Sequence, residues 1–425
     1  MKTKKNCSLI LAILIATFSH HALFAGGITL YELNSRSVGL ASAGWAASAQ
    51  DATTLFKNPA GMSLLSNSQL LISGQLLYGN VGLRLDSNTT VSGNNGGNPV
   101  GALPGGGVFF VYGVDTDLKF GLGAFSYFGL GQKFDEEWVG RYYLKEATLI
   151  GQTIMPSVSY RLSEQVSVGA GLNAMYGIFD QKIGVNNGGQ QPDGQLKLND
   201  HTWGFGADVG VLAEVSKGTR FGITYLSPVS LGFNTIPEFS GLRPAFETIL
   251  QNKGLTNKSL DLTMKVPQSL MLSGYHEIDD KWAIMGNIGW QNWTQFGEID
   301  VTVASDTPST LTFNRSYKDT WHVAAGAQVQ VSPEWLLTGG LAYDGSMVED
   351  TDRTVDVAVG AAFRIGAGAH WQVNVPIRLG FAYELVWSGD LPVDQYRGPL
   401  AGRVSGAFDN SAIHFLNVSM EWNIQ

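Results

Sequence analysis

Side chains able to make or break bonds are few and scattered along this chain. Cys7 is the only cysteine and lies within an apolar N-terminal leader, so the rest of the chain has neither disulfides nor a thiol nucleophile. Histidines 201, 276, 322, 370 and 414 stand too far apart to form a local metal site. There is no Gly-x-Ser-x-Gly, no His-Glu-x-x-His and no Walker loop. Gly204-x-Gly206 and Gly169-x-Gly171 fall in strand-like alternation, and Asp279-Asp280 and Glu136-Glu137 read as solvated turns and loops. The remaining chemistry is the holding of apolar molecules. Leu242, Ala245, Phe246, Ile249 and Leu250 recur at helical spacing around Pro244, which suits a helix start. An amphipathic helix on a loop exposes apolar surface unless it covers something. Phe128, Phe134 and Trp138 of a neighbouring loop offer the facing wall of a capture groove, with the helix as the other wall. The sequence therefore predicts a protein with no catalytic residues, metal or cofactor.

The elements that must position these residues are strands. From residue 67 onward the chain reads as about fourteen stretches of alternating apolar and polar residues. Trp203, Phe205, Ala207, Val209, Val211, Ala213 and Val215 oppose Gly204, Gly206, Asp208, Gly210 and Glu214. Trp321, Val323, Ala325, Ala327, Val329 and Val331 oppose His322, Gln328 and Gln330, and Val375 through Trp387 repeats the pattern. Successive strand side chains point to opposite faces. Stretches of about 9 to 13 residues suit tilted strands crossing roughly 25 to 30 Å of hydrocarbon. Tight turns are expected at Asp115-Thr116-Asp117, Ser163-Glu164-Gln165, Ser216-Lys217-Gly218, Asp279-Asp280, Ser332-Pro333-Glu334 and Gly366-Ala367-Gly368. They alternate with long segments near 80–104, 131–147, 184–199, 234–257, 303–318, 344–353 and 388–410. Short periplasmic turns and long extracellular loops characterise an outer-membrane barrel, and their alternation gives an even strand count with both chain ends periplasmic. The 53 glycines, the 15% charged residues and the absence of a long apolar helix segment in the mature chain agree with this reading. A net charge of −9 without a basic patch gives no footprint for nucleic acid.

Lys2, Lys4 and Lys5 precede the run Leu9–Ala16, and cleavage after Ala25 makes residues 1–25 a secretory signal peptide. Residues 26–66 do not alternate: Val38 through Ala49 is rich in small residues and leads to Lys57-Asn58-Pro59-Ala60-Gly61. A compact hatch of short helices and turns is expected there, inside a barrel formed by residues 67–425. In the third stretch, Phe120 through Gly131, interior glycines mark a candidate bulge or bend.

Several of these segments together resemble one family. The Asn58-Pro59-Ala60 turn, preceded by Ser37-Val38-Gly39-Leu40-Ala41-Ser42-Ala43-Gly44, is joined in order by Glu137-Trp138-Val139-Gly140-Arg141-Tyr142 and Met155 through Leu162. Trp203-Gly204-Phe205-Gly206, Val266-Pro267-Gln268-Ser269, Tyr317-Lys318-Asp319-Thr320-Trp321 and His414-Phe415-Leu416 follow. Over nearly 400 residues the chain resembles the FadL family of outer-membrane channels for long-chain fatty acids and other hydrophobic compounds. The resemblance implies a 14-stranded barrel plugged by an N-terminal hatch carrying the Asn-Pro-Ala turn. It also implies passive capture between loops, an interior pocket, and lateral release into the membrane lipid through a kink that aligns with Ser126, Tyr127, Phe128 and Gly129. Lys318 lies where the family places an interior cation, the expected partner of a substrate carboxylate. Arg161 and Arg378 also face inward by alternation and are expected to pair with Glu384, Asp208 or the hatch. A monomer assembled by the outer-membrane assembly machinery completes the expectation, with long-chain fatty acids as substrate and aromatic or uncharged hydrocarbons as the alternative.

Overall fold

The computed structural model describes residues 29–189, 191–252, 258–303 and 309–424, so the leader and its predicted cleavage site lie outside the described residues. Among the described residues, fourteen antiparallel strands close into a barrel. They are β1 (Ser68–Leu85), β2 (Gly101–Gly113), β3 (Leu118–Lys133), β4 (Glu146–Arg161), β5 (Val166–Val185), β6 (Gly194–Ser216), β7 (Thr219–Leu226), β8 (Ser269–Glu277), β9 (Trp282–Gln291), β10 (Thr320–Gln330), β11 (Trp335–Asp344), β12 (Ala362–Asn374), β13 (Ile377–Tyr396) and β14 (Arg403–Ile424). Each pairs with its neighbours in sequence, and β14 returns to β1 with Ser68 opposite Ile424 and Leu85 opposite Gly406. Closure removes the outer edges of the sheet, as lipid requires, except where residues 101–106 of β2 have no partner on the β3 side.

The alternation read in the sequence sets the two faces. On β6, Trp203, Phe205, Val209 and Val211 point outward, while Gly204, Asp208, Gly210 and Leu212 are buried. Outward rings gather toward both rims, as in a membrane barrel's aromatic girdles. Trp335 and Trp371 stack at 6.0 Å beside the short turns, and Tyr343 and Phe363 meet at 5.1 Å beside the long loops. One expected turn is overturned. Gly366-Ala367-Gly368 lies inside β12, and the chain reverses at 375–376 instead. Those glycines thin the wall: a Cβ on Gly366 would lie 2.2 Å from the carbonyl oxygen of Val38.

Residues 29–67 thread the barrel interior as the hatch. Its helices are α1 (Ser35–Gly39) and α2 (Thr54–Lys57), followed by a 3-10 turn over Pro59–Leu64. Asn34 caps α1 by accepting from the Ser37 amide. Close approach of hatch to wall depends on glycine: a Cβ on Gly222 would stand 1.9 Å from the Ala46 carbonyl oxygen.

Beneath the long loops is a second, four-stranded antiparallel sheet, ordered 309–314, 298–303, 260–266 and 229–235. Its members are continuations of wall strands that leave the barrel at Pro228, Pro267 and Asn292, and at the two prolines the missing N–H ends the ladder. Phe233 meets Phe179 of β5 at 5.4 Å and joins this sheet to the inner wall.

Candidate functional site

The site begins where β3 leaves β2. β2 pairs with β1 from Gly101 to Val111, but it faces β3 only from Gly107, opposite Phe125, to Gly113, opposite Lys119. Beyond Phe125 the β3 chain pairs with β4 alone. A bulge at Tyr127 shifts the register between Ser126 and Phe128, so buried positions change from odd numbers below it to even numbers above it. Gly129 follows at φ +153, where a Cβ would lie 2.9 Å from Ile150 Cα and from the Leu149 carbonyl oxygen, so only glycine fits without strain. The hatch begins at this point: the Leu30 amide donates to the Tyr127 carbonyl at 2.7 Å. The Tyr127 hydroxyl accepts from Asn173 at 2.6 Å.

At the divergence of β2 and β3 opens a cavity of about 840 Å³. Leu30 and Leu33 of the hatch and Leu77, Leu103 and Leu130 of the wall line it, and so do Ile154 and Trp203, which lie on the barrel's outer face. It therefore takes in both sides of the wall. Among the described residues no lysine, arginine or histidine borders it, and Glu32 is the one carboxylic acid that does.

The Asn58-Pro59-Ala60 turn is fully buried. The Asn58 side-chain amide donates to the carbonyls of Ala46 at 2.7 Å and of Val211 on β6 at 3.0 Å, and its oxygen accepts from the Ala60 amide at 3.1 Å. The turn is thus clamped to β5 and β6, where Gly169 and Gly210 make room for it. Its link to the bulge runs through Phe56, whose ring lies 4.8 Å from Phe125 and 4.7 Å from Tyr127.

Charge fixes the rest of the hatch. Arg364 on β12 pairs with Glu32 of the hatch, with Glu384 at 3.1 Å and with Asp344, which in turn bonds His322 at 2.6 Å. Tyr31 stacks on His322 at 4.5 Å. A second set joins Arg36 to Asp51 at 3.2 Å and to Glu421 at 3.5 Å, with Arg378 3.5 Å from Glu421. Arg378 therefore pairs with Glu421 rather than with Glu384, whereas Arg161 does reach the hatch, at the Ser63 carbonyl.

Two expectations do not hold as stated, and a third element is placed differently. Lys318 is not an interior cation: its ammonium is half exposed and pairs with Glu349. Alternation carried back from β10 puts Lys318 inside, but residues 315–319 are not strand and Ser316 has φ +56, which breaks the phase. Phe134 and Trp138 do not wall an open groove either. They stack on each other at 3.8 Å in the buried core, and the Trp138 indole donates to the Leu144 carbonyl at 2.6 Å. The helix expected after Pro244 forms as α3 (Pro244–Asn252), but it leans on another loop: Asn187 accepts from the Arg243 amide at 3.0 Å and donates to the Gly241 carbonyl at 2.8 Å. Phe246, Ile249, Leu250 and the preceding Leu242 are half-buried, and no residue of the helix is fully buried.

The buried cations of the loop region include Arg353, which donates to the carbonyls of Val359 at 2.7 Å and Pro392 at 2.9 Å, and Arg315 and Arg397, which flank Asp356. Arg315 lies over the Tyr317 ring at 5.9 Å and Arg397 over Tyr143 at 4.4 Å. Burial pulls the Arg397 guanidinium down to about 10, which leaves it charged at neutral pH. From Tyr317 a run of rings descends to the bulge, Tyr317 to Phe296 at 6.5 Å and Phe296 to Phe128 at 5.9 Å. These residues gave little sequence signal, although Arg315 and Tyr317 share the parity opposite to Lys318.

A closed membrane barrel, filled by an N-terminal hatch and breached in its wall beside an apolar cavity, defines an outer-membrane channel for hydrophobic molecules. Residues 15–421 match the family described as outer membrane protein transport protein (OMPP1/FadL/TodX), and the chain belongs to that family, one of transport proteins and not enzymes. The long-chain fatty acid transport protein of Escherichia coli O6:H1 is 26% identical over 405 residues, covering 88% of this chain and 90% of that one. Among solved structures, a Pseudomonas aeruginosa FadL homologue superposes with a TM-score of 0.85 at 16% identity over 94% of this chain and all of that one. The Pseudomonas putida toluene transporter TodX superposes with a TM-score of 0.70 at 14% identity over 93% of this chain and 99% of that one. These two likenesses concern the fold.

Proposed function

We propose that this protein carries long-chain fatty acids passively across the outer membrane and releases them sideways into the lipid between β2 and β3. The supporting observation is the cavity at the bulge, because its lining runs from the hatch to the lipid-facing Ile154 and Trp203. An acyl chain leaving by that route stays in apolar surroundings, and partitioning into lipid supplies the driving force. The long-loop end faces outward, both termini lie in the periplasm, and one barrel acts as a monomer. The assembly machinery reads β14 through its outward Leu416, Val418 and Trp422.

The test is uptake of radiolabelled oleate by cells lacking their own hydrophobic-compound channel, comparing the wild type with Gly131→Trp. Gly131 lines the cavity and has open space, its nearest neighbour being Leu103 at 3.5 Å from a built Cβ. Uptake should fall at least about tenfold with the barrel still folded, the cost of blocking a route worth about 1.4 kcal/mol or more. Full uptake by Gly131→Trp removes the lateral route. The cavity's lack of a cation favours a second reading, passage of aromatic hydrocarbons, and toluene uptake without oleate uptake would select it.

A further inference from the structure

Leu130 stands between two cavities. On one side lies the cavity of about 840 Å³ at the divergence of β2 and β3, and on the other a smaller one of about 30 Å³. Leu130 is the one residue common to both linings. Val81 of β1, Val100, Val359, Val386 of β13 and Ile413 of β14 enclose the smaller cavity with it, and apart from Ser388 and Ser411 its lining is aliphatic or glycine. Among the described residues none from the hatch borders the smaller cavity, whereas Leu30, Glu32 and Leu33 of the hatch border the larger. Protein interiors are close-packed and hold few voids as large as a water molecule, so two largely apolar ones sharing a single side chain call for an explanation.

The register shift at Tyr127 turns Leu130 inward, where it is almost wholly buried. The wall behind the smaller cavity is irregular as well. From Asn80 to Gly82 β1 advances two positions while β14 runs back three, from Ala412 to Asp409, and Asn410 adopts φ +45. The segment carrying Val359 is held by the Arg353 guanidinium, which donates to the carbonyls of Val359 at 2.7 Å and Pro392 at 2.9 Å. Backbone hydrogen bonds fix those faces, whereas the Leu130 side chain can change between staggered rotamers without breaking any.

We propose that Leu130 is a gate on a wall-side path from the smaller cavity to the lateral one, and that its bulk sets the cross-section of the hydrophobic molecules that pass. The inference rests on the lateral-release reading given above and names the residue that selects within it. An unbranched acyl chain slips past a leucine that turns aside, whereas a chain carrying methyl branches meets it at each branch. The tail stays among aliphatic side chains on both sides of the junction, so passing it requires no exposure to water. Truncation of Leu130 to alanine removes the branched end of the side chain and joins the two cavities, and tryptophan fills the junction.

The experiment measures uptake of radiolabelled oleate and of the methyl-branched phytanate by cells lacking their own channel, with wild type, Leu130→Ala, Leu130→Val, Leu130→Met and Leu130→Trp. The melting transition of each purified full-length variant reports its folding. Leu130→Ala should raise the phytanate-to-oleate uptake ratio at least about fivefold, and Leu130→Val should move it the same way by less. Leu130→Met conserves volume and should keep the wild-type ratio, while Leu130→Trp should lower oleate uptake at least about tenfold. A wild-type ratio in both Leu130→Ala and Leu130→Val overturns the proposal, because a side chain that only packs the core would change uptake of both acids together. Full oleate uptake by a folded Leu130→Trp barrel overturns it too. Gly131→Trp separates the gate from the reading beneath it. Full uptake by Gly131→Trp, with a ratio that still follows residue 130, keeps the gate and defeats lateral exit. Loss of uptake in Gly131→Trp, with a ratio indifferent to residue 130, does the reverse.

Discussion

Two regions of the interior are built on opposite principles. Where the hatch meets the wall, most charge is paired: Arg364 engages three carboxylates, Arg36 engages two and Asn58 satisfies three backbone groups, although Glu32 Oε2, Glu384 Oε2 and Arg36 Nη2 have no hydrogen-bond partner. Beneath the loops the surroundings are rings and aliphatic side chains; Arg353 is hydrogen-bonded there, but Arg315, Arg397 and Asp356 lack hydrogen-bonded pairing among themselves. Burying charge is costly unless it is paired with good geometry. The first region is arranged for its partners at hand. The second leaves part of its buried charge without hydrogen-bond partners, so the two regions differ in how completely their charges are paired.

The largest test of that contrast is Arg364→Met. It leaves Glu32, Glu384 and Asp344 buried without their cation, and loss of such a partner costs roughly 3 to 5 kcal/mol. A melting transition lowered by many degrees, together with faster entry of small hydrophilic antibiotics, is the expected result. A melt like that of the wild type would show that the hatch does not depend on this ion cluster. Gly222→Val comes next. Its Cβ would collide with the Ala46 carbonyl oxygen, so the hatch should be displaced from a barrel that still closes, and single-channel recordings should show conductance that the wild type lacks. An electrically silent Gly222→Val barrel would mean that the hatch shifts without opening a path.

The loop side should respond more mildly. Replacing Phe246 and Ile249 of α3 by Asn should lower oleate uptake at limiting substrate by about two- to threefold, corresponding to well under 1 kcal/mol. Unchanged uptake would return the helix to simple packing on the Asn187 loop. The smallest effect belongs to neither region and calibrates both. In the turn after β2, Asp115 accepts from the amides of Asp117 and Leu118, each at 2.8 Å, and these bonds hold its carboxyl below its ordinary 3.8. A depressed value means that the turn's added order is complete above 3.8 and is lost as the pH falls through the lower folded value. Amide shifts of residues 117 and 118 should titrate there while those of the hatch stay fixed.

Much of the fold was legible because lipid imposes a strict rule. Every wall strand must alternate, so the sequence alone assigns Trp203 through Val215 or Trp321 through Val329 to a face. The hatch was legible by contrast, since Val38 through Ala49 follows no period of two. The wall glycines misled at Gly366-Ala367-Gly368, because a glycine that admits the hatch backbone reads in sequence like one that admits a turn. The loop side resisted for a different reason. Once the chain leaves the ladder at Pro228, Pro267 or Asn292, parity no longer tells inside from outside. Parity carried across Ser316 places Lys318 inward, and Phe134 and Trp138 read as groove walls although they fill a core. Arg397 directly follows β13 in phase with the buried Leu391, Val393 and Gln395, but the sequence does not show how far that alternation runs. The bulge was visible through Ser126, Tyr127, Phe128 and Gly129, but its pairing consequence for β2 was not, because that depends on register between strands.

Tyr127 is, in counting terms, a surplus residue: β3 spends one more position than β4 between Ser126 and Phe128. That single increment reverses the orientation of everything above it, putting Phe128, Leu130 and Gln132 inside where an uninterrupted strand would have turned them to lipid. The opening beside β2 is therefore encoded by length rather than by chemistry. Substitutions can reshape what the cavity accommodates without moving its location, whereas deleting one residue would restore the strand's phase and offer β2 the partner it lacks. Diversification of ligand preference and preservation of the breach are thus inherited through separate kinds of mutation.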